Sequence, residues 1–462
     1  MSDPGEILAH DLVIVVPGIM GSTLKKGGKE VWAPSGGAVI RALRTFLGSI
    51  RDLKLEPGAG YDDVGDDVIA GQVMPDLHAL PGLWTAQIGY GSLLTRMRSI
   101  LGNDPLPFAY DWRLSNQYNG HLLGKLVSGA LERRRSQPGQ AAAKVVFVCH
   151  SMGGLVARWC IEKEGCADVT RKLITLGTPH RGSMNALEQL VNGVRKGIGP
   201  LQADLTEFAR SLPSTYELLP QYACLQPPGR PESKLLNLTE YLEQGLPLGS
   251  LDGRRVTEAA WFHRQLDGPE TSVPAYDIHP IVGRHQVTRT TACMNGQRLD
   301  TSEKIEGVDE GGDGTVPQVA ATPKFMRPDS PSIRWVAEKH GSLQSNRSIF
   351  DELDGVLTAR RIVRRDIPGS EVRAEVDEMV GAGDPVVVAG TVVDDPRTPL
   401  QAMVLDEQGH RVNKMMLSPG DGRQHGDIGP LPPGGYQVVI GGVGAQAATI
   451  QPVTSILLVW PG

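Results

Sequence analysis

The chain is poor in aromatic residues, which make up 5% of its 462 positions. It has five cysteines, at 149, 160, 166, 224 and 293, and none forms a C-x-x-C pair. An odd, scattered set argues against a disulfide framework and reads as reduced thiols. Basic charge is not in excess: 46 Lys and Arg stand against 52 Asp and Glu, a net charge of −6. That removes the global electrostatic signature of a nucleic-acid binder. No apolar run approaches the ~18 residues that a membrane-spanning helix needs. The 11 histidines are scattered and show no H-E-x-x-H spacing, so neither a metal nor a cofactor is expected. The opening, Met1-Ser-Asp-Pro-Gly-Glu-Ile-Leu-Ala-His10, lacks a basic stretch followed by an apolar core. It does not read as a secretory signal, and the expected location is cytoplasmic. No internal repeat stands out.

What remains is a globular composition, 40% hydrophobic and 21% charged, on a chain long enough for two or three domains. Gly 56 and Pro 34 imply many turns. The most informative stretch is Lys144-Val-Val-Phe-Val-Cys-His-Ser-Met-Gly-Gly-Leu-Val-Ala-Arg158. An apolar run stops at a serine, two glycines follow, and a helix-like segment begins. That is how a strand–turn–helix nucleophile elbow reads. The turn is tight, so small residues must flank the serine. Gly153 is one; Cys149 takes the place usually held by glycine, which makes the motif a variant.

Along the chain, Asp11-Leu-Val-Ile-Val-Val-Pro17 predicts a buried parallel strand that runs into the loop Pro17-Gly-Ile-Met-Gly-Ser22. Helix-like spacing occupies 36–50, 89–102, 121–135 and 153–164. Further strands are expected at 144–149, 172–176, 278–282 and 333–336, and 106–113 reads as a short strand running into a loop. Strands alternating with helices predict a mostly parallel sheet covered on both faces. From about 183 to 275 the strand rhythm stops, which reads as a cap inserted into the sheet and covering the site. The basic run Arg360-Arg-Ile-Val-Arg-Arg365 follows the last strand. It reads as a solvated linker, with contact to anionic lipid headgroups as the alternative. Beyond it, β-branched runs at 386–393, 402–405, 436–440 and 453–459 predict a small all-β sandwich-like domain. The expected division is 1–362 and 370–462.

A serine nucleophile needs a base to take its proton and an acid to hold that base. In α/β-hydrolases the chain order is serine, acid, histidine. Ser151 is followed by Asp313 in Gly311-Gly-Asp-Gly-Thr-Val-Pro317, and then by His340 just past a strand. Asp309 and Glu310 are rivals without the glycine setting. His279 and His285 precede the acid and break the order. Two N–H donors must face the oxyanion of a tetrahedral intermediate. Met152, after the nucleophile, is one; Met20, between glycines of the early loop, is the other. His150, His180, Asp111 and Arg113 read as bracing residues, Cys149 as a small buried filler. Met20, Met152 and Met184 could equally line an apolar pocket or fill the core.

Six motifs occur in order: Pro17-Gly-Ile-Met-Gly-Ser22, Tyr110-Asp-Trp-Arg113, His150-Ser-Met-Gly-Gly154, Leu176-Gly-Thr-Pro-His-Arg-Gly182, Pro213-Ser-Thr-Tyr-Glu-Leu-Leu-Pro220 and Gly312-Asp-Gly-Thr-Val-Pro317. Together they resemble the lecithin:cholesterol acyltransferase-like branch of the α/β-hydrolases, over about 12–345. The resemblance implies Ser151, Asp313 and His340 as the triad, with Met20 and Met152 as oxyanion donors. It implies a lipid-like acyl ester as substrate and a serine esterase or lipase as the activity. Acyl transfer to an alcohol is the alternative. A second alternative is an effector module whose 370–462 domain docks a protein partner. The secreted members' signal and disulfides are not found in this sequence, and 370–462 lies outside the resemblance. Contact with a membrane surface is left open.

Overall fold

The computed structural model describes residues 10–33, 53–62, 64–75, 78–80, 83–196, 203–249, 251–267, 274, 276–358 and 369–460. The helix expected at 36–50 and the basic run 360–365 lie outside them.

Among the described residues six strands make the central sheet: β1 (Leu12–Val16), β2 (Leu106–Pro107), β3 (Val145–His150), β4 (Thr170–Leu176), β5 (Asp277–Gly283) and β6 (Arg334–Val336). They lie in the order β6-β5-β4-β3-β1-β2, and every neighbouring pair is parallel. Successive side chains of a strand point to opposite faces. Here both faces are buried. Ile14, Val16, Phe147 and Cys149 belong to one core, and Val13, Val15, Val146 and Val148 to the other. That is why β1 and β3 read as unbroken apolar runs rather than alternating ones. Each such aliphatic side chain contributes about 1.5–3 kcal/mol on full burial.

Helices α1 (Gly91–Leu101), α2 (Asn116–Arg135), α3 (Gly153–Lys163) and α4 (Arg347–Thr358) cover the sheet. α2 and α3 lie on the first face through Leu123, Leu131 and Leu155. α1 and α4 cover the second through Leu93, Met97 and Leu353. α2 starts five residues before the expected His121. The Ser115 side chain accepts the Tyr118 N–H at 3.0 Å and caps the helix there. Gly120 lets α2 close on α3, since a Cβ there would lie 2.7 Å from the Trp159 ring.

Between β4 and β5 no described residue joins the central sheet. The inserted cap contains helices Met184–Asn192, Thr206–Ser211, Leu238–Glu243 and Gly253–Asp267; its Leu187, Tyr216 and Tyr241 share a core with Val282 of β5, and its Phe208 and Phe262 pack into the first core. Buried Arg158 of α3 ties it down, pairing with Asp267 at 3.0 Å. A hairpin, Thr291–Asn295 with Arg298–Ser302, extends the cap's core after β5.

Past residue 369 the chain forms β7 (Ser370–Val376), β8 (Val387–Val392), β9 (Leu400–Leu405), β10 (Arg411–Met416), β11 (Arg423–Asp427), β12 (Gly434–Gly442) and β13 (Val453–Trp460). These and short flanking strands make two five-stranded sheets, one built on β11-β8-β7 and the other on β13-β12-β9-β10. Their shared core holds Val388, Leu400, Val404 and Val438. The whole is an α/β-hydrolase fold with an inserted cap and a C-terminal β-sandwich-like domain. Among the described residues no helix is long and apolar enough to cross a membrane.

Candidate active site

Ser151 follows β3 directly, and its backbone is forced into the left-handed region at φ 52°. Such a conformation costs a non-glycine residue of order 1–3 kcal/mol and persists only where the surroundings impose it. Here they do. The Ser151 N–H donates to Leu176 O at 2.9 Å, and Ser151 O accepts the Thr178 hydroxyl at 2.8 Å. The glycines after it are steric necessities. A Cβ on Gly153 would sit 2.4 Å from Pro17 O, and one on Gly154 would sit 2.1 Å from Thr178 Oγ1. On the other flank Cys149 is buried in the first core, and burial pushes its thiol well above the ordinary range. It is a small packed side chain.

The three expected residues meet. Ser151 Oγ lies 2.8 Å from His340 Nε2, and His340 Nδ1 lies 2.7 Å from Asp313 Oδ2. A carboxylate only accepts, so Nδ1–H donates to it and Nε2 keeps a lone pair for the serine proton. Asp313 Oδ1 accepts the N–H groups of Thr315 at 2.9 Å and Val316 at 2.7 Å, which fixes the carboxylate. The His340 N–H donates to Asp313 O at 2.8 Å, so the two loops are tied by backbone as well. Gly177 ends β4 beneath them at φ 59°. A Cβ there would lie 2.9 Å from Asp313 Oδ2 and 3.1 Å from His340 Nδ1, so only glycine leaves room. All three side chains are buried. Asp313 reaches the end of β5 by a detour, because the hairpin 291–302 intervenes. A Cβ on Gly283, the last residue of β5, would nonetheless lie 2.3 Å from Asp313 Cβ.

Met20 is also left-handed, at φ 62°, in the loop after β1. That loop backs onto the serine: a Cβ on Gly18 would lie 2.8 Å from Ser151 Cβ. Met152 opens α3. Their side chains are fully buried in the first core, and Met184 is fully buried in the cap.

His150 is braced on both sides. His150 Nε2 faces His340 O at 3.0 Å, and Nδ1 faces the Tyr90 hydroxyl at 2.8 Å. A carbonyl accepts only, so Nε2 carries the proton and Tyr90 donates to Nδ1. The Tyr90 oxygen in turn accepts the Gly18 N–H at 2.8 Å. One chain of bonds thus joins the early loop, the elbow and the histidine loop. Burial drives His180 well below its ordinary value, and its Nε2 lies 3.2 Å from Thr175 Oγ1. Arg113 is fully buried between Asp111 at 2.7 Å and Asp66 at 2.8 Å, an internal brace. His279 and His285 pair with Glu352 and Glu371, away from the serine. Tyr90, Thr178, Gln286 and Glu338 are the site-supporting residues that sequence reasoning did not single out. Thr178 sits inside a quoted motif; nothing in the sequence marks Tyr90, Gln286 or Glu338.

The sequence pattern of the lecithin:cholesterol acyltransferase family matches residues 101–240, from the approach to β2 through the elbow and into the cap. Over those residues the chain is similar to that family. No curated protein matches it in sequence. Among solved structures it is similar to the mature form of the lipase BlEst2 of Bacillus licheniformis, at 14% identity and TM-score 0.37, covering 78% of this chain and 95% of that one. The propeptide form of the same lipase has 12% identity and TM-score 0.36, covering 99% and 94%. The phospholipase PlaB of Legionella pneumophila, in complex with thio-NAD, has 10% identity and TM-score 0.30, covering 97% and 89%.

Proposed function

We propose that the chain is a serine esterase or lipase that cleaves a carboxylic ester of a lipid-like substrate through an acyl-serine intermediate. The observation that carries the reading is the unbroken line Ser151 Oγ, His340 Nε2, His340 Nδ1, Asp313 Oδ2, with links of 2.8 and 2.7 Å. His340 takes the serine proton as Oγ attacks the ester carbonyl. Asp313 holds the ring in the tautomer that can do so and stabilises the imidazolium. The N–H groups of Met152 and Met20 receive the oxyanion; removal of one such donor typically costs about 10²–10³ in turnover. His340 then protonates the leaving alcohol, and water resolves the acyl-enzyme. The matched family is named for an acyltransferase of lecithin and cholesterol. That supports a lipid acyl ester as substrate, and it keeps transfer to an alcohol as the second outcome of the same acyl-enzyme.

The test is to incubate the protein and its Ser151→Ala variant with a fluorescent fluorophosphonate and with short and long p-nitrophenyl esters. The reading expects labelling and turnover in the wild type and none above background in the variant, a loss of about 10⁶-fold. A folded wild type that neither labels nor turns over would overturn it and favour a binding role.

A further inference from the structure

The three candidate catalytic side chains do not stand on equally firm ground. Ser151 lies between two buried elements in the middle of the sheet. His340 follows β6, a three-residue strand at the sheet's edge. Asp313 follows the long excursion from the end of β5. A general base must be held within about 0.5 Å of its working position, and neither short edge strand nor long loop supplies that by itself.

The C-terminal β region reaches both loops. Glu338, two residues before His340, is 1% exposed. Its Oε1 accepts from the Lys339 N–H at 2.8 Å and from the Thr454 N–H of β13 at 2.9 Å. Ser342 Oγ lies 2.9 Å both from that carboxylate and from Thr454 O. The second oxygen accepts Asn346 Nδ2 at 2.5 Å. One buried carboxylate thus gathers the start of the loop, the middle of the loop, the start of α4 and the second residue of β13. Ala337 beside it is packed into the core of the C-terminal sheets. The cavity between Lys339, Ser342, Glu378 and Thr454 is about 20 Å³, room for roughly one water.

The acid loop is held in a parallel way. Gln286 is fully buried. Its amide donates to Val372 O at 2.9 Å and accepts the Ala374 N–H at 3.1 Å, standing in for a neighbouring strand along β7. Its backbone N–H donates to Gly312 O at 3.0 Å, one residue before Asp313. Around it Glu371 of β7 takes Arg284 and His285, each at 2.9 Å, and Arg373 of β7 takes Asp309 at 3.0 Å. His285 is left-handed at φ 66°. Three of the four strained non-glycine residues described in the chain therefore lie in the early loop, at the serine and at this anchor.

We infer that the C-terminal β region is the positioning element of the base and the acid, acting through Glu338 on the His340 loop and through Gln286 on the Asp313 loop. The inference rests on the roles proposed above for Ser151, Asp313 and His340. It makes Glu338 and Gln286 positioning residues, since neither touches the reacting atoms. It also assigns the β region to catalysis rather than to recruitment of a partner.

The test uses the full chain with Glu338→Ala, Glu338→Gln, Gln286→Ala and Gln286→Glu, each checked by circular dichroism. Turnover of a short p-nitrophenyl ester and the rate of fluorophosphonate labelling are measured. A misplacement of about 1 Å costs on the order of 10²-fold. The expected result for both alanine variants is therefore a kcat lower by about 10- to 100-fold with KM within about twofold, and slower labelling. Glu338→Gln should recover part of the rate, because its amide oxygen still serves Lys339, Thr454 and Ser342, while its nitrogen faces the Asn346 amide nitrogen, whose oxygen is held at the cap of α4. If the alanine variants do not fold, Gln286→Glu carries the same expectation, since it keeps the shape but sets a carboxylate oxygen against Val372 O. Folded variants with wild-type kcat would overturn the inference while Ser151-dependent labelling left the catalytic reading intact. A wild type without such labelling would overturn both.

Discussion

The central sheet and the C-terminal sheets are built from similar β-branched residues and solve different problems. β3, Val145–His150, is buried at every position. β9, Leu400–Leu405, alternates buried with half-buried, and β10, Arg411–Met416, has no fully buried residue. The first pattern belongs to a parallel strand covered by helices on both faces; the second belongs to antiparallel strands with one face on a core. The difference teaches where chemistry can sit. A strand buried on both sides ends abruptly and rigidly, and the glycine loops at its end can be aimed. A sandwich with one wet face instead offers edges and turns, which here press against the aimed loops from outside.

The largest expected effect probes the aimed loops. Asp313→Asn should lower kcat by about 10⁴-fold with the fold intact, because the imidazole loses its correct tautomer; steady-state kinetics beside a thermal melt would read it. A loss below tenfold would remove the strand-end loops from the chemistry. The next effect sharpens the contrast in burial. Phe147→Ala in β3 empties a fully buried site and should cost about 3–5 kcal/mol in urea unfolding. A cost under 1 kcal/mol would mean that the doubly covered sheet is not the rigid partner.

A smaller effect lies where the cap meets α2. Glu217 accepts the Asn116 N–H at the first turn of α2, at 2.6 Å. A helix N-terminus favours a carboxylate, yet burial dominates and pushes this acid up from 4.5 to about 8. Its folded value is raised, so its contribution is complete below 4.5 and fades as pH rises through about 8. Wild type should lose more stability than Glu217→Gln between pH 5 and pH 8, by an amount on the order of 1–3 kcal/mol. Parallel pH slopes for the two proteins would refute it. His263, which faces Glu217 O at 2.7 Å, is pushed down to about 4 by burial and acts in the opposite sense, its contribution fading as pH falls below 6.5. The difference between wild type and variant isolates Glu217. The smallest effect closes the comparison: Val412→Thr, on exposed β10, should stay within about 0.5 kcal/mol.

How much was legible in the sequence follows the same divide. Strands β1, β3, β4 and β5 were readable because burial on both faces leaves unbroken apolar runs. The elbow was readable because two glycines must follow the serine. In the C-terminal region the apolar runs marked β8, β9, β12 and β13. They missed β7, whose Glu371, Arg373 and Glu375 look like a solvated charge run, and they missed β10 and β11 for their polar outer faces. Asp313 was found through its glycines, although the hairpin placed between it and β5 was not foreseen. Gln286 and Glu338 were out of reach. Their partners lie about 90 and 120 residues further along the chain, and nothing local distinguishes a buried glutamine or glutamate that meets a distant strand from an exposed one.

The detour between β5 and Asp313 departs from Gly283 and comes back to it, with Asp313 Cβ only 2.3 Å from where a Gly283 Cβ would be. Closure of the loop, rather than its length, brings the acid back to the strand end. The tip of the hairpin, Asn295–Arg298, is exposed. Because closure entropy grows only with the logarithm of loop length, doubling the excursion there would cost about 0.6 kcal/mol. Descendants of this chain can lengthen, shorten or decorate that tip, beside the cleft formed by Asn192, Arg195 and Arg298, and so explore new molecular surfaces without rebuilding the residues that do the work.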